Sequence, residues 1–166
     1  MGFDIPAWSN YGVAVVSGAA ALTGLLFVAV SVNGAWFWSS KALRGRAGQA
    51  LVLFIIPLVT GLLLVVPGQS TTALGIEIVV LGLLAGRVLL ALGNETVQDE
   101  PRSIVLVDRL SPRLVITTAL LASGASLITR QFGGLYWLLA VDICALLTGL
   151  LNAWVFLLAA GADKAA

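Results

Sequence analysis

Apolar residues fill this chain in five long runs, separated by short stretches where Gly, Pro, Asn, Ser and charged residues collect. The runs cover roughly Tyr11 to Trp38, Gln49 to Val66, Thr72 to Leu92, Leu114 to Thr129 and Leu135 to Ala160, the fourth being the shortest. They are apolar on all sides, so the alternation of a half-buried or barrel strand is missing. A helix that crosses a bilayer needs about 20 mostly apolar residues. Lipid offers the backbone no hydrogen-bond partner, so each run is predicted to satisfy its own N–H and C=O groups as an α-helix. Pro67-Gly68, Gly93-Asn94, Ser111-Pro112 and Gly133-Gly134 mark the breaks. The pattern predicts an all-α membrane protein, a bundle of about five transmembrane helices that forms one domain over residues 1–166.

Composition agrees and removes several alternatives. Hydrophobic residues make up 60% of the chain and charged residues 10%, against about 45 to 50% and about 25% in ordinary soluble domains. The net charge of +1 leaves no basic face for nucleic acid. There is no histidine, the single methionine is Met1, and the single cysteine is Cys144. An intrachain disulfide is therefore excluded, and no metal or cofactor is expected, since the usual zinc and haem ligand sets are missing. No Lys or Arg precedes Lys41, so the basic n-region of a cleavable signal peptide is lacking and the first helix is expected to stay. Arginine over lysine, with abundant Ala, Gly, Leu and Val, is a bias common in GC-rich bacteria, which points to a bacterial cell membrane.

The basic residues set an expected orientation. Lys41, Arg44, Arg46, Arg102, Arg109, Arg113 and Lys164 fall on one side of a five-pass arrangement, and Arg130 stands alone on the other. The positive-inside rule then predicts an outside N-terminus and an inside C-terminus. The stretch 93–113 carries Glu95, Asp99, Glu100 and Asp108 among its arginines, and reads as a cytoplasmic loop with a short apolar patch at Ile104-Val105-Leu106-Val107.

Three ionisable residues lie inside predicted spans: Glu77 and Arg87 in the third, Asp142 in the fifth. A charge at mid-bilayer costs about 2.5 to 3.5 kcal/mol on insertion scales, so each is expected to face protein or water. Helix rise puts Glu77 and Asp142 ~8 and ~10 Å below the outer face, at one level. If the third and fifth helices touch, the two form a carboxylate pair able to share a proton or hold a cation, with Arg130 within reach to neutralise one of them. Arg87 either snorkels to the headgroups or joins Asn33 and Asn152 in an inner polar cluster.

On the third helix Gly75, Gly82, Gly86 and Gly93 fall on one stripe at 100° per residue, and Gly82 to Gly86 is a strict GxxxG. Smaller ridges recur at Ala14 and Gly18, Ala20 and Gly24, Ala119 and Ser123, and Ala122 and Ser126. Pro57 is expected to kink the second helix. Trp8, Tyr11, Trp36, Trp38, Tyr136 and Trp137 read as interfacial anchors.

The stretch Gly18-Ala-Ala-Ala-Leu-Thr-Gly-Leu-Leu-Phe-Val-Ala-Val-Ser-Val-Asn33, with Leu43-Arg-Gly-Arg-Ala47 and Leu63-Leu-Val-Val-Pro-Gly-Gln69, resembles a family of small multi-spanning proteins common in actinobacteria. The likeness covers mainly the first half of the chain. Some members are labelled modulators of a membrane-embedded AAA protease, so the resemblance implies a partner-binding role; seven-span modulators of that kind have a different layout. From the residues themselves, nucleophile-base pairs and metal clusters are absent, and a non-enzymatic bundle is expected. Its glycine-rich third helix would pack against a partner membrane protein or another copy. The rival expectation is a small proton or cation pathway built on Glu77 and Asp142.

Overall fold

The computed structural model describes residues 2–32, 34, 41–95 and 102–162, with the backbone alone at 42–43, 93–95, 102–113 and 159–162. The described secondary structure is helical throughout. A short 3-10 turn, Ile5–Trp8, leads into α1 (Ser9–Val32), followed by α2 (Lys41–Val65), α3 (Thr71–Glu95), α4 (Arg102–Thr129) and α5 (Leu135–Ala162). Four stretches are long and apolar enough to cross a membrane: Ile5–Val32, Arg44–Val65, Thr71–Leu92 and Leu135–Leu158. The apolar part of α4, Leu114–Thr129, is shorter. The chain is an all-α, membrane-embedded bundle.

The helices run further than the apolar runs alone suggest. α2 starts at Lys41 and not at Gln49, α3 continues to Glu95, and α4 begins at Arg102. Much of the stretch expected to be a loop over 93–113 is therefore helical, and Ser111-Pro112, read as a turn, lies inside α4. Lys, Arg, Leu and Ala are all good helix formers, and long cationic side chains reach headgroups or water while their backbone stays in the helix. Pro57 and Pro112 are both accommodated within helices, as membrane helices allow.

We call the end of the bundle that holds the start of α1 the upper end. The closest pairs are the two antiparallel hairpins α1–α2 and α3–α4. α2 also packs on α3 and α5, and α4 on α5, whereas α3 and α5 share almost no contact. Each hairpin is pinned near its upper end by two facing glycines. A Cβ on Gly12 would lie 2.8 Å from the Gly61 carbonyl oxygen, and one on Gly61 would lie 2.8 Å from that of Gly12. In the second hairpin the same reciprocal contact joins Gly75 and Gly124, at 2.8 and 2.7 Å. Only glycine permits backbones to meet at this range.

The two crossings are copies of one arrangement. Gly12 and Gly75 are 63 positions apart, as are Gly61 and Gly124. At the same offset Val16 beside Gly61 becomes Val79 beside Gly124, and Val65 beside Gly12 becomes Ile128 beside Gly75. The correspondence continues along α2 and α4: Leu43 with Leu106, Arg46 with Arg109, Leu51-Val52 with Leu114-Val115, Leu58 with Leu121, Thr60 with Ser123, and Leu64 with Leu127. The bundle is thus an internal repeat of a helical hairpin. α5 starts 64 positions after α3 and closes the bundle against α2 and α4.

The upper end is stitched together by the chain's first residues. Ser70 caps α3, its Oγ accepting from the Ala73 N–H at 3.1 Å. In the α4–α5 turn Ser126 Oγ accepts from the Gly134 N–H at 3.0 Å and donates to the Gln131 carbonyl. The Leu135 N–H then donates to the Gly2 carbonyl at 2.8 Å. Gly134 has φ +54°, and a Cβ there would meet Gly2 and Phe3, so turn geometry and close approach both demand glycine.

Candidate functional site

Below that stitched surface, three helices place their polar side chains around one point. Asp142 lies two turns into α5, ~10 Å below the helix start; Thr60 lies ~8 Å from the upper end of α2, and Tyr11 is in the first turn of α1. Asp142 is fully buried. Its Oδ1 accepts from Thr60 Oγ1 at 2.9 Å and its Oδ2 from the Tyr11 hydroxyl at 3.1 Å. Trp8 stands edge-on to both Tyr11 and Tyr136, with ring centroids 5.5 and 5.1 Å apart, and covers the site from above. Leu138 and Val141 in α5 and Ile5 in the N-terminal turn belong to the surrounding apolar core.

Thr60 Oγ1 also lies 3.1 Å from the carbonyl oxygen of Pro57. A hydroxyl carries a single proton, so Thr60 serves one of its two acceptors at a time. With a carboxylate at Asp142, the Thr60 proton goes to Oδ1. With the carboxylic acid, a proton on Oδ1 would be donated to Thr60 Oγ1 and turn the Thr60 proton to the Pro57 carbonyl, whereas a proton on Oδ2 would face the Tyr11 hydroxyl and leave the Thr60 bond as it is. What the geometry performs directly is joining α1, α2 and α5 through a carboxyl sealed from lipid and water.

The residues singled out by sequence are distributed otherwise than expected. Glu77 and Asp142 do not form a pair: Glu77 is exposed on α3, where Gln69 Nε2 donates to its Oε2, and α3 is no neighbour of α5. Arg130 is exposed in the α4–α5 turn at φ 55°, and the hydrogen bonds of Asp142 go to Tyr11 and Thr60. The ion-handling expectation thereby loses its two-carboxylate site. Of the expected inner cluster, Arg87 is exposed on α3 and Asn152 Nδ2 donates to the Thr148 carbonyl of its own helix at 3.1 Å. Asn33 lies outside the described residues. Helix rise gives each carboxyl a position along its own helix, but that position carries no information about which helices are neighbours.

The glycine stripe of α3 faces α4 of the same chain. A Cβ at Gly75 would meet Gly124 and Ile128, one at Gly82 would meet Leu121 at 3.2 Å, and one at Gly86 would meet Thr117 at 2.6 Å. The surroundings of Gly93 lie outside the described residues. This face is filled internally and is not open to another copy or a foreign helix.

Sequence reasoning missed Thr60, Gly12, Gly61 and Gly124, and took Tyr11 for an interfacial anchor. The 63-residue self-similarity would have found three of them, since Thr60-Gly61 and Ser123-Gly124 match in its best-preserved part. Nothing in the sequence pairs Tyr11 with Asp142. Comparison with protein-family models, with curated proteins and with solved structures gives no match.

Proposed function

We propose that the protein is a non-enzymatic membrane bundle that binds another membrane-embedded helix through the outward face of α1, with α1 entering from the outside and α5 ending inside. The observation that carries this reading is a register comparison between the two repeats. On α1, Ala14, Ser17, Ala20, Ala21 and Gly24 are exposed. The positions 63 residues on, along α3, hold Glu77, Val80, Leu83, Leu84 and Arg87, also exposed. The outward face of α3 is large and apolar over most of its length, as a lipid-facing surface is. From Ala14 to Gly24 the same face of α1 is made of small residues, bounded by exposed Val13 above and Val28 below, and among the described residues no atom outside its own helix lies within 4 Å of a Cβ built at Gly18 or Gly24.

Helices in lipid lack a hydrophobic drive to associate and gain by close backbone packing, for which small residues are required. α3 uses its small face on α4, and α1 has a second small face with none of the described helices upon it. The resemblance to a family with partner-modulating members supports the same reading, and so does the sealing of Asp142, which favours a locked scaffold over a conducting path.

A photo-crosslinking residue at Ala21 tests the proposal, with the same residue at Leu90 on the outward face of α3 as control. Crosslinking in native membranes is expected to give one discrete protein adduct from position 21 and none from position 90, and Gly18→Leu is expected to remove it. The adduct's mass distinguishes a second copy from a different protein. Lipid-sized adducts alone at both positions would defeat the reading.

A further inference from the structure

Lower down, α1 and α2 separate and leave a groove of about 140 Å³. Leu26, Phe27 and Val30 form one wall, Ala47 and Leu51 the other, and Arg44 lines its end. From Arg44 to Leu51 the groove follows α2 for ~10 Å. Lys41, Arg44 and Arg46 all lie in the first two turns of α2, and neither α1 nor α2 contains an acidic residue.

We propose that this groove binds one anionic phospholipid, an acyl chain along its apolar wall and the headgroup phosphate at Arg44. Basic sites between helices at the membrane surface select anionic headgroups, and a guanidinium has five donors, so it can hold a phosphate beside its contacts within the protein. Two internal comparisons single out this groove. A second one, of about 150 Å³, lies on the other side of α1 against Phe54, Leu150 and Trp154, and among the described residues no charged one lines it. In the second hairpin the position matching Arg44 is Val107, so a hairpin of this repeat forms without the arginine.

Native mass spectrometry of the full chain in detergent, titrated with phosphatidylglycerol or phosphatidylcholine, tests the proposal. One phosphatidylglycerol is expected to be retained per chain in preference to phosphatidylcholine, and glycerol phosphate is expected not to displace it. Arg44→Gln should lower the preference about fivefold, the effect of one cation near an anionic surface. Arg87→Gln, which removes an exposed cation from α3, should leave it unchanged. Equal retention of the two lipids by the wild-type chain would overturn the proposal. So would equal losses in the two arginine variants, which would indicate a diffuse charge effect, and displacement by glycerol phosphate, which would indicate a simple anion site.

Discussion

The two hairpins share one way of crossing and differ in nearly everything they do around it. Gly12 on Gly61 and Gly75 on Gly124 are equivalent contacts at equivalent register. In the first hairpin the helices also deliver Tyr11 and Thr60 to Asp142. In the second the matching residues are Leu74 and Ser123, and Ser123 Oγ is buried without a hydrogen-bond partner. The first hairpin is therefore tied to α5 by polar groups at its upper end, while α1 is left loosely covered below. The second is held by apolar packing, with α4 seated in the glycine stripe of α3. The comparison shows that a repeat conserves what the hairpin needs in order to cross, and leaves polar and outward positions free to diverge.

The crossing itself is the first place to break that equivalence. Gly61→Leu and Gly124→Leu each drive a side chain into a facing backbone that cannot yield, and overpacking of this kind typically costs about 1 to 3 kcal/mol, occasionally more. Both are expected at or above the top of that range in thermal or denaturant unfolding in micelles, and by similar amounts. If one is tolerated and the other is not, the hairpins are not equivalent units.

Asp142→Leu comes next, because it takes away the acceptor of the half-buried Tyr11 hydroxyl and leaves Thr60 only the Pro57 carbonyl. An unsatisfied buried polar group costs about 1 to 3 kcal/mol. Asp142→Asn keeps an acceptor and is expected to cost less. Ser123→Ala, at the matching site of the second hairpin, removes an oxygen that has no partner and should be close to neutral by the same assay.

Single hydrogen bonds in membrane interiors average about 0.6 kcal/mol, so Tyr11→Phe and Thr60→Val should each cost about that much. A double-mutant cycle of either with Asp142→Asn measures the coupling; strict additivity would show that the hydroxyls are adjacent to the carboxyl without bonding it. A similarly small effect on stability is expected at Gly18→Leu, within about 0.5 kcal/mol, as at other exposed positions. A loss much larger than this would mean that the outward face of α1 is already packed within its own chain.

Much of this architecture was legible in the residues alone. Five helices, their order and the depth of Asp142 follow from apolar run length and helix rise, because lipid forces each span to satisfy its own backbone. The glycine stripe of α3 followed from 3.6-residue periodicity, and the 63-residue offset is a property of the sequence as well. Partnership was decided only in three dimensions. Periodicity describes a face without naming what lies across it: α4 fills the stripe where a partner or a second copy was expected, and Glu77, expected beside Asp142 only if their helices touched, gives way there to Tyr11 and Thr60. The helix ends also needed the structure, since charged and good helix-forming residues at Lys41 and Arg102 extend helices beyond the reach of any apolar pattern. A helix in lipid is determined locally by its own hydrogen bonds, whereas the choice of its neighbours rests on side-chain fit between segments far apart in the chain.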